Sequence, residues 1–174
     1  DAGLSETDRH KLAEPLGNFL RLLHSLREPE ILALLPPDRI ERANLAKRLP
    51  MALNRANALR DRLREDLYVK VIDCLERGIE GYEPSSDTPV HGDLYSRHVL
   101  VNDACELKGI IDWGDLHLGD RSEDLSIAFL ALPTETHPTF WRAYGPVSET
   151  TMRASRLRAL WHSLVVLEYA IQIE

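Results

Sequence analysis

Two carboxylates and two imidazoles stand in a short stretch of this chain, close to runs of apolar residues. The first segment reads His91-Gly92-Asp93-Leu94-Tyr95-Ser96-Arg97-His98, and the second Ile110-Ile111-Asp112-Trp113-Gly114-Asp115. Between them, Val99-Leu100-Val101 and Gly109-Ile110-Ile111 have the composition of two short strands. Asn102-Asp103-Ala104-Cys105-Glu106 has that of the polar turn joining them into a hairpin. Asp93 then lies just before the first strand and Asp112 just after the second, so the two can converge on one site. A carboxylate able to take a proton from a hydroxyl, beside one able to hold a divalent metal ion, is the minimum equipment of phosphoryl transfer. The plainer reading of either residue is a turn aspartate that caps backbone N–H groups. A third carboxylate in register downstream, Asp124, favours the chemical reading.

The stretch from Val90 to Ala128 resembles the catalytic core of the aminoglycoside phosphotransferase family, small-molecule kinases with a protein-kinase-like fold. The family pattern is H-G-D-L, an Asn five residues after the Asp, an apolar strand, I-D-W/F-G/E, and then G-D-x-x-x-D-L. Here it reads His91-Gly92-Asp93-Leu94, then Ile111-Asp112-Trp113-Gly114, then Gly119-Asp120 through Asp124-Leu125. One position departs, because His98 stands where Asn is expected; macrolide phosphotransferases also carry His there. Leu20 to Leu26 resembles the Leu-His helix end found upstream in the family. H-G-D alone would be weak; three ordered elements are specific.

The resemblance implies roles. Asp93 is the expected catalytic base, and Asp112 the residue that holds a magnesium ion against the nucleotide phosphates. His98 is the expected second metal-holding side chain, and its nitrogen suits manganese or zinc better than magnesium. The plainer reading of His98 is a ring that only hydrogen-bonds its own loop. His91 and Asp124 are expected to brace the catalytic loop. The cofactor implied is Mg2+, with Mn2+ as the alternative, and the co-substrate is ATP or GTP. The acceptor would be a hydroxyl of a small molecule: an aminoglycoside, a macrolide or a metabolite. Two other readings compete. One is a metal-dependent hydrolase using His91, Asp93, His98 and Asp112 as a ligand cluster, and the other a non-catalytic binding module derived from the kinase fold.

Helices must position this hairpin. Leu12, Leu16, Phe19, Leu20, Leu23 and Leu26 recur at helical spacing, so Ser5 to Leu26 reads as one amphipathic helix capped by Ser5 and broken near Pro15. Asp38 to Leu49 and Met51 to Leu63 read as two helices separated by Pro50. Leu67 to Leu75 begins another that ends near Gly78, and Gly81 to Pro89 reads as loop. Asp124 to Leu130 and Thr136 to Tyr144 are short predicted helices, and Ser148 caps a long one. The expected fold is α+β but mostly α: the C-terminal lobe of a kinase-like fold, with a small β-hairpin carrying the catalytic and metal loops. Residues 1–174 are expected to form this one lobe. No glycine-rich loop follows a strand and no strand-borne lysine is visible. The nucleotide-gripping N-terminal lobe is therefore expected to lie outside the chain, and the fragment to be inactive alone.

The 174 residues suffice for one domain with a real core. A net charge of −7 argues against nucleic acid as a partner, since phosphate backbones select basic surfaces. Charged residues at 28% and a mean hydropathy of −0.27 predict a soluble protein that neither spans nor binds a membrane. The polar N-terminus lacks the apolar run of a signal peptide. Cys74 and Cys105 are far apart and read as free thiols, consistent with a cytoplasmic setting.

Overall fold

The computed structural model describes residues 3–173. Before the site come five helices: α1 Glu6–His10, α2 Ala13–Leu23, α3 Pro29–Leu32, α4 Leu45–Ala58 and α5 Glu65–Arg77. Four short strands follow, β1 Thr88–Val90, β2 Val99–Val101, β3 Leu107–Ile110 and β4 His117–Gly119. The chain then returns to helix with α6 Ser122–Leu125, α7 Ile127–Ala131, α8 His137–Tyr144 and α9 Glu149–Gln172. Among the described residues, no helix is long and apolar enough to cross a membrane.

The expected hairpin is present: β2 and β3 pair antiparallel, with Val99 opposite Ile110. In its turn, Asn102 Oδ1 accepts the backbone N–H groups of Ala104 and Glu106, at 3.1 and 2.9 Å. A second sheet was not expected. Thr88 to Val90 pairs antiparallel with His117 to Gly119, with Pro89 opposite Leu118. Proline is tolerated here because a two-stranded sheet has only edge strands.

Several helix boundaries differ from expectation. Residues 38–44, expected to open a helix, form turns in which the Asp38 carboxylate takes the Ile40 N–H, and α4 starts only at Leu45. The first helix breaks at Lys11-Leu12 rather than at Pro15. Pro15 falls in the first turn of α2, where its missing N–H would have had no helical partner anyway. Conversely, Pro50 does not end a helix, and α4 runs through it from Leu45 to Ala58. One face of α4 buries Ala52 and Ala56 against Val71 and Leu75 of α5 and Leu157 and Leu164 of α9. That burial outweighs one lost helical hydrogen bond.

The other core cluster lies around α2 and α8. Leu16 and Leu20 pack with Phe140, Leu94, Leu125 and Ile127, all almost fully buried. The helices touch closely at Gly17, where a Cβ would lie 2.6 Å from the carbonyl oxygen of Phe140 and 2.9 Å from the Ala143 methyl. No side chain fits between them. Ser148 caps α9, its Oγ accepting the Thr151 N–H at 3.0 Å.

Candidate active site

In an antiparallel hairpin the start of one strand lies beside the end of the other. The loop before β2 and the loop after β3 therefore leave from the same open end. The ladder runs one bond further, as Ile111 N donates to His98 O at 3.0 Å.

His91 is fully buried and both its ring nitrogens are engaged. Nε2 lies 2.9 Å from the carbonyl oxygen of Ile111, so Nε2 carries the proton. Nδ1 then accepts from the Asp93 N–H at 3.4 Å. The ring ties the loop before β2 to the loop after β3. Gly92 has φ 82°, and a Cβ there would lie 2.6 Å from the Asp115 carbonyl oxygen. Only glycine takes this turn without strain.

Asp124, fully buried, lies beneath this turn. One carboxylate oxygen accepts the His91 N–H at 2.7 Å and the other the Gly92 N–H at 3.0 Å. His24, just past the end of α2, adds its Nε2 at 3.1 Å, while its Nδ1 meets the Tyr144 hydroxyl at 2.9 Å. Burial alone would push the Asp124 pKa up. His24 and the two backbone N–H groups outweigh it and hold the carboxyl below its ordinary value.

His98 is 7% exposed and spans both loops. Its Nδ1 lies 2.8 Å from the carbonyl oxygen of Asp93, and a carbonyl only accepts, so Nδ1 is the protonated nitrogen. Nε2 faces Asp112 Oδ2 at 3.3 Å. Asp112 has the left-handed backbone φ 65°, ψ 59°, uncommon for a residue with a Cβ. Its side chain is 65% exposed. An exposed carboxylate oxygen beside an oriented imidazole nitrogen is a donor pair suited to a divalent cation, with water and phosphate oxygens to complete the shell.

Asp93 is half-buried. Arg158 and His162 of α9 lie within electrostatic reach of Asp93, although Arg158 feels the Glu123 carboxylate first and Asp93 second. Burial, then Arg158, lowers the His162 pKa, and Asp93 partly opposes them. Tyr95 packs between the His98 and His162 rings, with centroids at 4.3 and 4.8 Å.

Residues 1–157 match the profile of the phosphotransferase enzyme family. The chain belongs to that family. An aminoglycoside 3'-phosphotransferase of Streptomyces fradiae is 30% identical over 145 residues, which are 80% of this chain and 52% of the relative. Among solved structures, the GDP complex of wild-type aminoglycoside 2'-phosphotransferase-IIIa superposes with TM-score 0.62 at 22% identity. The match covers 99% of this chain and 58% of that one. A macrolide 2'-phosphotransferase type I gives TM-score 0.58 at 19% identity, covering 95% and 55%. The likeness to these two structures shows a shared fold. The chain spans between half and three-fifths of the length of these relatives.

In this phosphotransferase-family chain, the motif residues gather at one end of the hairpin. Asp93, His98 and Asp112 meet there, with His91 and Asp124 beneath them. The four-residue ligand cluster of the hydrolase reading does not form, because backbone groups occupy both nitrogens of His91. Sequence reasoning noted the Leu-His helix end that contains His24 but gave His24 no role, and it missed Tyr144, which joins His24 in the Asp124 network, and Arg158 and His162, which lie near Asp93. The last two are four apart on α9, a spacing that puts them on one helix face. Trp113 is 37% exposed and lies against His91 with ring centroids 4.7 Å apart.

Proposed function

We propose that this chain is the catalytic-loop lobe of a small-molecule O-phosphotransferase, which moves the γ-phosphoryl group of ATP or GTP to a hydroxyl. The observation that carries the proposal is His98, which joins the backbone of Asp93 to the carboxylate of Asp112. A base and a metal-holding carboxylate at fixed separation are what an in-line transfer needs, because positioning supplies most of its catalysis. The lobe that grips the nucleotide lies outside residues 1–174 in this reading. The likeness to an aminoglycoside 3'-phosphotransferase favours an aminoglycoside hydroxyl as acceptor, in an antibiotic-inactivating reaction.

Each residue then has a task. Asp93 accepts the proton of the acceptor hydroxyl and orients its oxygen toward the phosphorus. His98 holds the Asp93 loop at a fixed distance from Asp112. Asp112 and His98 are the side chains that would hold Mg2+ or Mn2+. A bound ion there supplies charge neutralisation on the transferred phosphate. His91 and Asp124 keep the turn at Gly92 from moving. Arg158, on α9, adds positive charge near both Glu123 and Asp93.

The experiment is Asp93→Asn in the protein that includes the nucleotide-gripping lobe. Turnover should fall by roughly two to four orders of magnitude, the usual worth of a positioned base, with fold and nucleotide affinity unchanged. Turnover near wild type would remove Asp93 from the mechanism.

A further inference from the structure

A second group of ligating side chains plays no part in phosphoryl transfer. Asp38, His117 and Glu123 each present one ligand atom, and these atoms lie within 4.8 Å of one another. The side chains of His117 and Glu123 are 3% and 1% exposed. His117 Nδ1 donates to the carbonyl oxygen of Asp115 at 2.7 Å, which turns Nε2 toward Glu123 Oε2, 3.4 Å away. Among the described residues, neither of those two atoms has a hydrogen-bond partner. Two buried polar atoms left facing each other are costly unless a cation sits between them.

The separation of His117 Nε2 and Glu123 Oε2 suits a tetrahedral ion. Ligands about 2.0–2.1 Å from zinc lie about 3.3 Å apart along a tetrahedral edge. The ligands are also held from behind. Asp38 Oδ1 accepts the Ile40 N–H at 3.2 Å and the Arg42 guanidinium at 2.9 Å, and Oδ2 accepts the Arg42 backbone N–H. Glu123 Oε1 accepts the Asp120 N–H at 3.3 Å, and the Asp115 carbonyl fixes the His117 ring. Such outer hydrogen bonds typically accompany metal ligands. Space is kept by Gly119, where a Cβ would lie 2.5 Å from His117 Nε2 and 2.8 Å from Glu123 Oε1. A cleft of about 160 Å3, lined in part by Asp38, Ser85, Gly119 and Glu123, borders the group.

We propose that Asp38, His117 and Glu123 bind one Zn2+ ion whose fourth position faces this cleft. The ion ties the segment before α4 to β4 and α6, and so clamps the turn that follows Asp112. The competitor for the site is a proton. Burial works against a charged His117 ring, yet Glu123, the Asp115 carbonyl and Asp38 together raise its pKa. The field that favours a proton there also favours a divalent cation.

The test uses the chain with Cys74→Ser and Cys105→Ser, so that free thiols do not compete for metal. Chelator-stripped protein is titrated with Zn2+ by calorimetry and with Co2+ by visible absorption. One tight equivalent should bind and should persist in Asp112→Asn, where the candidate catalytic pair is broken; Co2+ should show the strong bands of tetrahedral coordination, and Zn2+ should raise the melting temperature. Glu123→Gln keeps the shape and removes the charge, and Gly119→Ala fills the cradle. Each should weaken Zn2+ binding beyond the roughly 10- to 100-fold that loss of an outer hydrogen-bond partner costs. Asp112→Asn should leave it unchanged. Absence of binding, binding undiminished in Gly119→Ala and Glu123→Gln, or binding lost in Asp112→Asn would each overturn the proposal. Should Glu123→Gln fail to fold by circular dichroism, Gly119→Ala and the wild-type Co2+ spectrum decide.

Discussion

His98 is where a single residue carries the most consequence. Its ring nitrogen occupies the place of an amide oxygen in the family pattern, facing Asp112 at 3.3 Å. Nitrogen relaxes the demand for a hard, strictly octahedral ion, so Mn2+ should support turnover at least as well as Mg2+ in the lobe-complete protein. His98→Asn should shift the preference toward Mg2+. Turnover titrated against each ion, in wild type and variant, checks this; an unchanged dependence would reduce His98 to a loop brace. Asp124 carries a different consequence. Its folded pKa lies below the ordinary aspartate value, so the carboxylate stabilises the fold above that ordinary value. The contribution is lost as pH falls through the folded value, below about pH 4. Asp124→Asn should lower neutral-pH stability by about 3 kcal/mol, since it leaves buried donors without their anion. It should also flatten the acid limb of the stability curve, which denaturant melts at stepped pH would show.

Among the elements, α4 is the one whose sequence and structure pull apart. Pro50 sits exposed in its interior and withholds one hydrogen bond. Pro50→Ala should therefore stabilise the protein by about 1–3 kcal/mol, read as an upward shift in denaturation midpoint. A loss of stability would mean that the proline ring fixes a bend which the packing against α9 requires. The same helix shows why parts of the fold escaped sequence reading. A proline is a local signal, whereas the Ala52 and Ala56 contacts that override it are made with α5 and α9, remote in sequence. The β1–β4 pair escaped for a related reason. Strands of three residues carry no periodicity, and the whole β2–β3 hairpin separates the partners. By contrast the hairpin and the caps at Ser5 and Ser148 depend on neighbours a few residues away, and all were legible. The motif made Asp93, His98 and Asp112 legible as well. His117 and Glu123 were not, because nothing in their spacing announces that Asp38 comes to meet them.

At the scale of the whole molecule, the described residues include the loop of the candidate base, while those before β1 form no strand that could carry a phosphate-gripping lysine. Calorimetry with ATP or GTP on the 174-residue chain should give at most millimolar affinity, and a transfer assay no turnover above background. Tight binding by the chain alone would overturn the assignment of residues 1–174 to one lobe. The turn at Gly92 is tied down from several parts of the chain. The Asp124 carboxylate collects donors from just past α2, from the turn at Gly92 and, through His24, from the end of α8. These segments come from near the start, the middle and near the end of the chain. The amides of His91 and Gly92 therefore have no route to solvent by fraying of one element. Their hydrogen exchange should follow unfolding of the whole lobe, so the turn that holds the candidate base is as durable as the fold itself.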